Sequence, residues 1–173
     1  MSSLDRESAI KLLRVNNVQQ NVIEHCLTVS DFAVEIAKEI KKNGRDIDVG
    51  FVETAALLHD LGRCKTHGIM HGVEGAKILK DYPEYARVCE CHIGGGITRE
   101  EAKTLGLPPR DYIPRTLEEK VICYADKLIS GTSKVTLEAT LKKYRERLGA
   151  GHKTMERIKS LDEEIRGLAG THT

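Results

Sequence analysis

The chain lacks tryptophan and carries only two phenylalanines and five tyrosines. An aromatic platform for stacking single-stranded nucleic acid is therefore not expected. It also lacks an excess of either charge. Its 27 basic and 26 acidic residues leave a net charge of +1, so no strong global field draws in RNA or DNA. A local group of cations still suffices for a small anionic ligand. No apolar run approaches the length that crosses a bilayer. Met1 to Glu7 show no basic stretch followed by an apolar one, so no signal peptide is expected. The cysteines, Cys26, Cys64, Cys89, Cys91 and Cys123, are odd in number and form no disulfide-like framework. Free thiols in a reducing cytoplasm are the simplest reading. Cys89, Cys91 and His92 lie close together, but a structural zinc site takes four ligands, often as two spaced pairs, and no second pair follows. Packing between helices is the favoured role for both cysteines.

What is present is helical periodicity, over a length that suits one domain with a real core. A single domain over residues 1–173 is expected, with its core in 18–131 and a helical appendage over 133–169. A first helix starts near Ser3 and ends around Val15. The second covers residues 18–42, with Val22, Cys26, Val29, Ala33, Ile36 and Ile40 on one face. Asp48 caps a third, reaching about Leu61, whose centre Thr54-Ala55-Ala56-Leu57-Leu58 has no charged face and should be buried. Further helices are expected over 71–80, over 83–92 behind Pro83, from Thr98, and over 116–129, where Thr116 and Glu119 suggest a capping box. Two charged amphipathic helices follow residue 133 and divide near Gly149. Leu137, Leu141, Tyr144 and Leu148 mark the buried face of the first. Packing on the parent domain is the expected role of this appendage, with a dimer contact or a lid as alternatives. No stretch alternates long enough for a convincing strand.

The chemistry concentrates at His59-Asp60, at the end of the most buried helix. An ionised aspartate there is costly to bury without a partner, and a histidine beside a carboxylate suits a divalent transition metal. Alone, the pair reads equally as a capped helix end. His25, however, lies on the apolar stripe of the second helix, and Asp126 sits at the edge of the stripe made by Ile122, Ala125 and Ile129. His71 opens one helix and His92 closes another. Six candidate ligands thus fall at helix ends or on inward faces, as in metal sites built within helical bundles.

The ordered pattern His25, His59-Asp60, His71, His92, Asp126 resembles that of the HD superfamily of metal-dependent phosphohydrolases. The string His59-Asp60-Leu61-Gly62-Arg63 is similar to the family's HD-[IL]-G-[KR] form. His71 with Gly75 and Ala76 resembles its H-x3-GA segment, and Ala125-Asp126-Lys127-Leu128 its A-D-[KR]-[LI] segment. The resemblance implies an all-α, HD-type helical bundle. It implies that His25, His59, Asp60 and Asp126 hold one divalent transition metal ion (Fe, Mn, Ni, Co or Zn). His71 and His92 would add a second ion, with Asp60 bridging. It further implies cleavage of a phosphoester or phosphoanhydride bond, in a nucleotide, by metal-activated hydroxide. Asp60 would position the nucleophile and Arg63 would reach a phosphate oxygen.

The implied partner is a small phosphorylated substrate, with no membrane, no strong nucleic-acid signal and room for a homo-oligomer. Cyclic-dinucleotide phosphodiesterases of the HD-GYP type carry a His-His pair where this chain has His92-Ile93, and the GYP segment is missing. A di-iron oxygenase and a metal-bound nucleotide-sensing module without turnover are the alternatives to a hydrolase. Lys127, Lys65, Arg99 and Arg115 are weaker cation candidates. His67 reads as a solvent-exposed loop residue or a proton donor.

Overall fold

The computed structural model describes residues 4–170, so the expected helix start at Ser3 lies outside the described residues. The first helix, α1, is Arg6–Val15, opened by the Asp5 side chain accepting from the Ser8 amide. Next come α2 (Gln20–Lys42) and α3 (Val49–Leu58). The Asp48 carboxylate accepts from Phe51 N at 2.9 Å, a cap worth about 1 kcal/mol. As its uncharged centre predicts, α3 is the helix others surround: Val52, Ala55, Ala56, Leu57 and Leu58 are fully buried. At roughly 1.5–3 kcal/mol for each large apolar side chain, this helix anchors the core. The α2 stripe of Val22, Cys26, Val29, Ala33 and Ile40 packs in the same cluster.

The third helix stops at Leu58, sooner than expected, and the chain passes through His59 and Asp60 into a 3-10 turn, Leu61–Cys64. Four helices follow: α4 (His71–Ile78), α5 (Pro83–Cys91), α6 (Arg99–Thr104) and α7 (Leu117–Lys127). A reciprocal capping box forms at α6, between Thr98 and Glu101. At α7 the Thr116 hydroxyl does accept from Glu119 N, but the Glu119 carboxylate accepts from Arg115 N, one residue too early to close a box.

Two very short strands, β1 (Ile129–Ser130) and β2 (Ser133–Lys134), form an antiparallel hairpin. Period-two patterning cannot reveal strands this short. The last helices are α8 (Leu137–Leu148) and α9 (Lys153–Ala169). Buried Leu161 and Ile165 join α9 to the main core, and the Tyr124 hydroxyl donates to buried Asp162 at 2.8 Å. Leu141 of α8 packs with Met155 and Ile158 of α9. Leu148, expected on the buried face of α8, is exposed instead, because the helix runs past the end of that contact. Among the described residues no helix is long and apolar enough to cross a membrane.

Candidate metal centre

Close approach between backbones assembles the site. A Cβ at Gly62 would fall 1.9 Å from the carbonyl oxygen of His71, so only glycine lets the 3-10 turn lie against the first turn of α4. Gly72 and Gly75 allow α4 to meet Cys89 of α5 in the same way. These contacts bring together Asp60, His71 at the start of α4 and His92 at the end of α5. The α2–α7 packing adds His25 and Asp126.

All six predicted ligands converge. Asp60 lies at the middle, and its two oxygens face different partners. Its Oδ1 lies 3.2 Å from His71 Nε2 and 3.3 Å from His92 Nε2. Its Oδ2 lies 3.7 Å from His59 Nε2 and 3.9 Å from His25 Nε2. Asp126 Oδ1 completes the second group, 3.1 Å from His25 Nε2 and 3.4 Å from His59 Nε2. His59, Asp60, His71 and His92 are buried, and His25 and Asp126 partly so.

The histidine rings share one device. His25 Nδ1 contacts the carbonyl of Gly131 at 2.8 Å, His59 Nδ1 that of Ala56 at 2.6 Å, His71 Nδ1 that of Gly68 at 2.8 Å and His92 Nδ1 that of Cys89 at 2.8 Å. A carbonyl oxygen only accepts, so each Nδ1 carries a proton. In the neutral ring each Nε2 then presents a lone pair. With all four rings neutral, four imidazole lone pairs and two carboxylates point into one small volume. His71 and His92 face each other Nε2 to Nε2 at 3.1 Å. His59 Nε2 and Asp60 Oδ1 are buried without a hydrogen-bond partner. A set of acceptors with orphaned members suits a cation, either a proton on the His59 ring or a metal ion shared by the group. His25, His59 and Asp126, and again His59, Asp60 and His92, are close enough to share an ion.

Titration follows the same field. Burial opposes ionisation of Asp60, but His59, then His71 and His92, hold its carboxyl well below the usual range. Asp126 is likewise lowered against its burial, by Lys127 and then His25 and His59. Burial works against a charged His59, yet the Asp60 carboxylate raises its pKa well above the ordinary histidine value. For His92 burial prevails and lowers the pKa to about 4.

Cations flank the carboxylates. Arg63 Nε donates to Asp60 Oδ2 at 2.6 Å. The Lys127 ammonium pairs with the Oδ2 side of Asp126 and is buried. Helical angle alone makes a weak case for Lys127; a four-carbon stem lets it bend back onto its neighbour. Nothing in the sequence pattern singles out Gly131. It sits in the hairpin turn at φ +60°, a left-handed conformation that favours glycine, and its carbonyl sets the His25 ring.

A cleft of about 910 Å³ opens over the centre. Arg63 and exposed His67 line it, whereas Lys65, Arg99 and Arg115 do not. The five cysteines are free. Cys89 and Cys91 are buried, with burial raising both thiol pKa values well above the ordinary range, in keeping with packing roles.

A family model described as HD domain matches residues 22–131. An uncharacterized protein of Methanocaldococcus jannaschii is 48% identical over 168 residues, covering 95% of this chain and 99% of that protein. The tRNA (cytidine(56)-2'-O)-methyltransferase of Picrophilus torridus is 38% identical over 169 residues, covering 96% of this chain but 48% of its own length. The chain thus spans about half of that relative. Among solved structures, the HD domain of the L. monocytogenes phosphodiesterase PgpH aligns with a TM-score of 0.53 at 18% identity, covering 94% of this chain and 97% of that one, a likeness of fold.

Proposed function

The chain belongs to the HD-domain family, and from that premise we propose that it is a metal-dependent phosphohydrolase acting on a phosphoester or phosphoanhydride bond of a nucleotide. In this reading His25, His59, Asp60, His71, His92 and Asp126 would hold two divalent transition ions, with Asp60 contributing to both. The observation that carries it is the convergence of four Nε2 atoms and two carboxylates, with His59 Nε2 and Asp60 Oδ1 buried and orphaned. Ions bound there would activate water and offset charge developing on phosphate oxygens.

The chain's own residues would do the rest. Backbone carbonyls lock the four rings with Nε2 inward, so no rotamer search precedes binding. Asp60 divides its oxygens between two groups of histidines. Arg63, partly exposed at the edge of the cleft and already on Asp60 Oδ2, has free guanidinium nitrogens to offer a phosphate oxygen. Lys127 holds Asp126 from behind, leaving its Oδ1 toward His25 and His59.

The test is a panel of nucleotides, dinucleoside polyphosphates and phosphomonoesters, each with Mn, Fe(II), Co, Ni or Mg, on metal-stripped wild type and on Asp60→Ala. Metal-dependent release of phosphate or nucleoside phosphate, abolished in Asp60→Ala together with metal content, is the expected result. Undiminished turnover by Asp60→Ala, or no turnover by wild type with any metal, would overturn the reading.

A further inference from the structure

One wall of the cleft lies beyond the residues that match the family. Thr140, Lys143, Tyr144 and Arg147 of α8 all line it. On a helix these positions fall within a stripe about 100° wide. The near end of the stripe is tied to the centre: the Thr140 hydroxyl donates to the carbonyl of Lys127 at 2.6 Å, one residue from Asp126. The far end, Arg147, lies about 10 Å further along the helix axis. The family match ends at residue 131, so this wall is supplied by the C-terminal helices.

Charge along this wall is uncompensated. Of the other lysine and arginine side chains that line the cleft, Lys127 is engaged with Asp126 and Arg157 with Glu101, while Arg63 is tied through Nε to Asp60 and so stands at the centre itself, not along α8. Glu100, an acidic residue of the rim, is taken by Lys103. Lys143 and Arg147 are exposed, line the cleft, and form no hydrogen bond or ion pair among the described residues. Tyr144 lies between them along the helix, is half-buried, packs against the cluster of Leu141, Met155 and Ile158, and also lines the cleft.

We infer that Lys143 and Arg147 hold a second, non-scissile phosphate of the substrate, displaced along α8 from the bond cut at the metal centre, with Tyr144 facing the group that links the two. The substrate class is then a compound with at least two separated phosphates. A single phosphate seated among the histidines would leave both cations and most of the 910 Å³ unused. A short single-stranded oligonucleotide and a polyphosphate-bridged nucleotide share this chemistry. The inference rests on the phosphohydrolase reading for the role of the centre, but its test is equilibrium binding.

The experiment measures binding to the metal-free full chain of inorganic phosphate, a nucleoside monophosphate, a 5′-phosphorylated trinucleotide and tripolyphosphate. The expected result is that wild type binds one of the last two at least about tenfold more tightly than the monophosphate. In a Lys143→Ala/Arg147→Ala double variant that ratio falls close to one. If the trinucleotide is the tight ligand, the slope of log affinity against log salt also falls by about 0.7 for each phosphate that the variant no longer neutralises. A Lys143→Arg/Arg147→Lys variant, which keeps both charges, retains the preference. The trinucleotide and tripolyphosphate arms separate the two sources of the distal phosphate. Equal binding of one-phosphate and multi-phosphate ligands by wild type, or an unchanged ratio in the double alanine variant, overturns the inference. Absence of turnover in a separate assay would instead strike the phosphohydrolase reading and leave the binding ratio legible.

Discussion

Replacing Gly62 by alanine adds one methyl group at the place where the metal-centre turn meets α4. The new Cβ would stand 1.9 Å from the His71 carbonyl oxygen, 2.4 Å from Gly75 N and 2.9 Å from the His71 carbonyl carbon. All three are backbone atoms, so no side chain can swing aside. The two segments must part by more than an ångström before the shortest contact reaches the 3.0 Å that real Cβ atoms tolerate. Overpacking of this kind costs roughly 1–3 kcal/mol, and the rigidity of both partners puts this site at the upper end, about 3 kcal/mol. For a chain of this size each kcal/mol lowers Tm by roughly 2–4 °C, so a fall of about 6–12 °C is expected. The same displacement moves His71 away from Asp60 Oδ1, now 3.2 Å apart, and metal affinity should fall with it. Gly167 supplies the opposite sign. It lies within α9 with nothing near its missing Cβ, so Gly167→Ala should stabilise by about 0.5–1 kcal/mol. Denaturant titration and metal titration of both variants check these signs and sizes. Loss of less than about 0.5 kcal/mol in Gly62→Ala, with metal affinity intact, would contradict the steric account.

Three further perturbations follow from the same geometry. His92→Ala should cost one of two metal equivalents by elemental analysis, because His25, His59 and Asp126 form a group without it; two full equivalents would rule out the dinuclear assignment. Gly131→Val forces a β-branched residue into φ +60° and shifts the carbonyl that orients His25. Metal affinity should drop about 10–100-fold, as for other partners of metal-ligating histidines, and unchanged affinity would mean that the hairpin does not hold the ring. The Glu101 carboxyl, although partial burial acts to raise its pKa, is held below its ordinary value by the Thr98 amide and the Arg157 guanidinium. Since the folded pKa is the lower one, its stabilising effect is complete above the unfolded value and is lost as pH falls through the folded value. Glu101→Gln should therefore flatten the acid limb of a stability–pH curve, and an identical limb in wild type and variant would remove Glu101 from the account.

Most of the helices and the identity of the six candidate ligands were legible in the amino-acid order. Helix signals are local: Asp48, Thr98 and Thr116 cap through amides three residues away, and apolar spacing marks the buried stripes of α2 and α3. The residues that converge were legible as candidates through an ordered motif, which compresses long-range contacts into a string. What depends on partners distant in the chain was settled by tertiary packing. It closed the 129–134 hairpin, whose strands are too short to pattern, and so brought the Gly131 carbonyl to His25, 106 positions earlier. It turned all four Nδ1 atoms to carbonyls, bent Lys127 onto Asp126, and left Leu148 exposed on a helix whose stripe predicts burial. It also turned one face of α8 toward the cleft. Periodicity shows that a helix has a face to bury, but which neighbour receives that face, and where the contact ends, is set by packing between elements far apart in the chain.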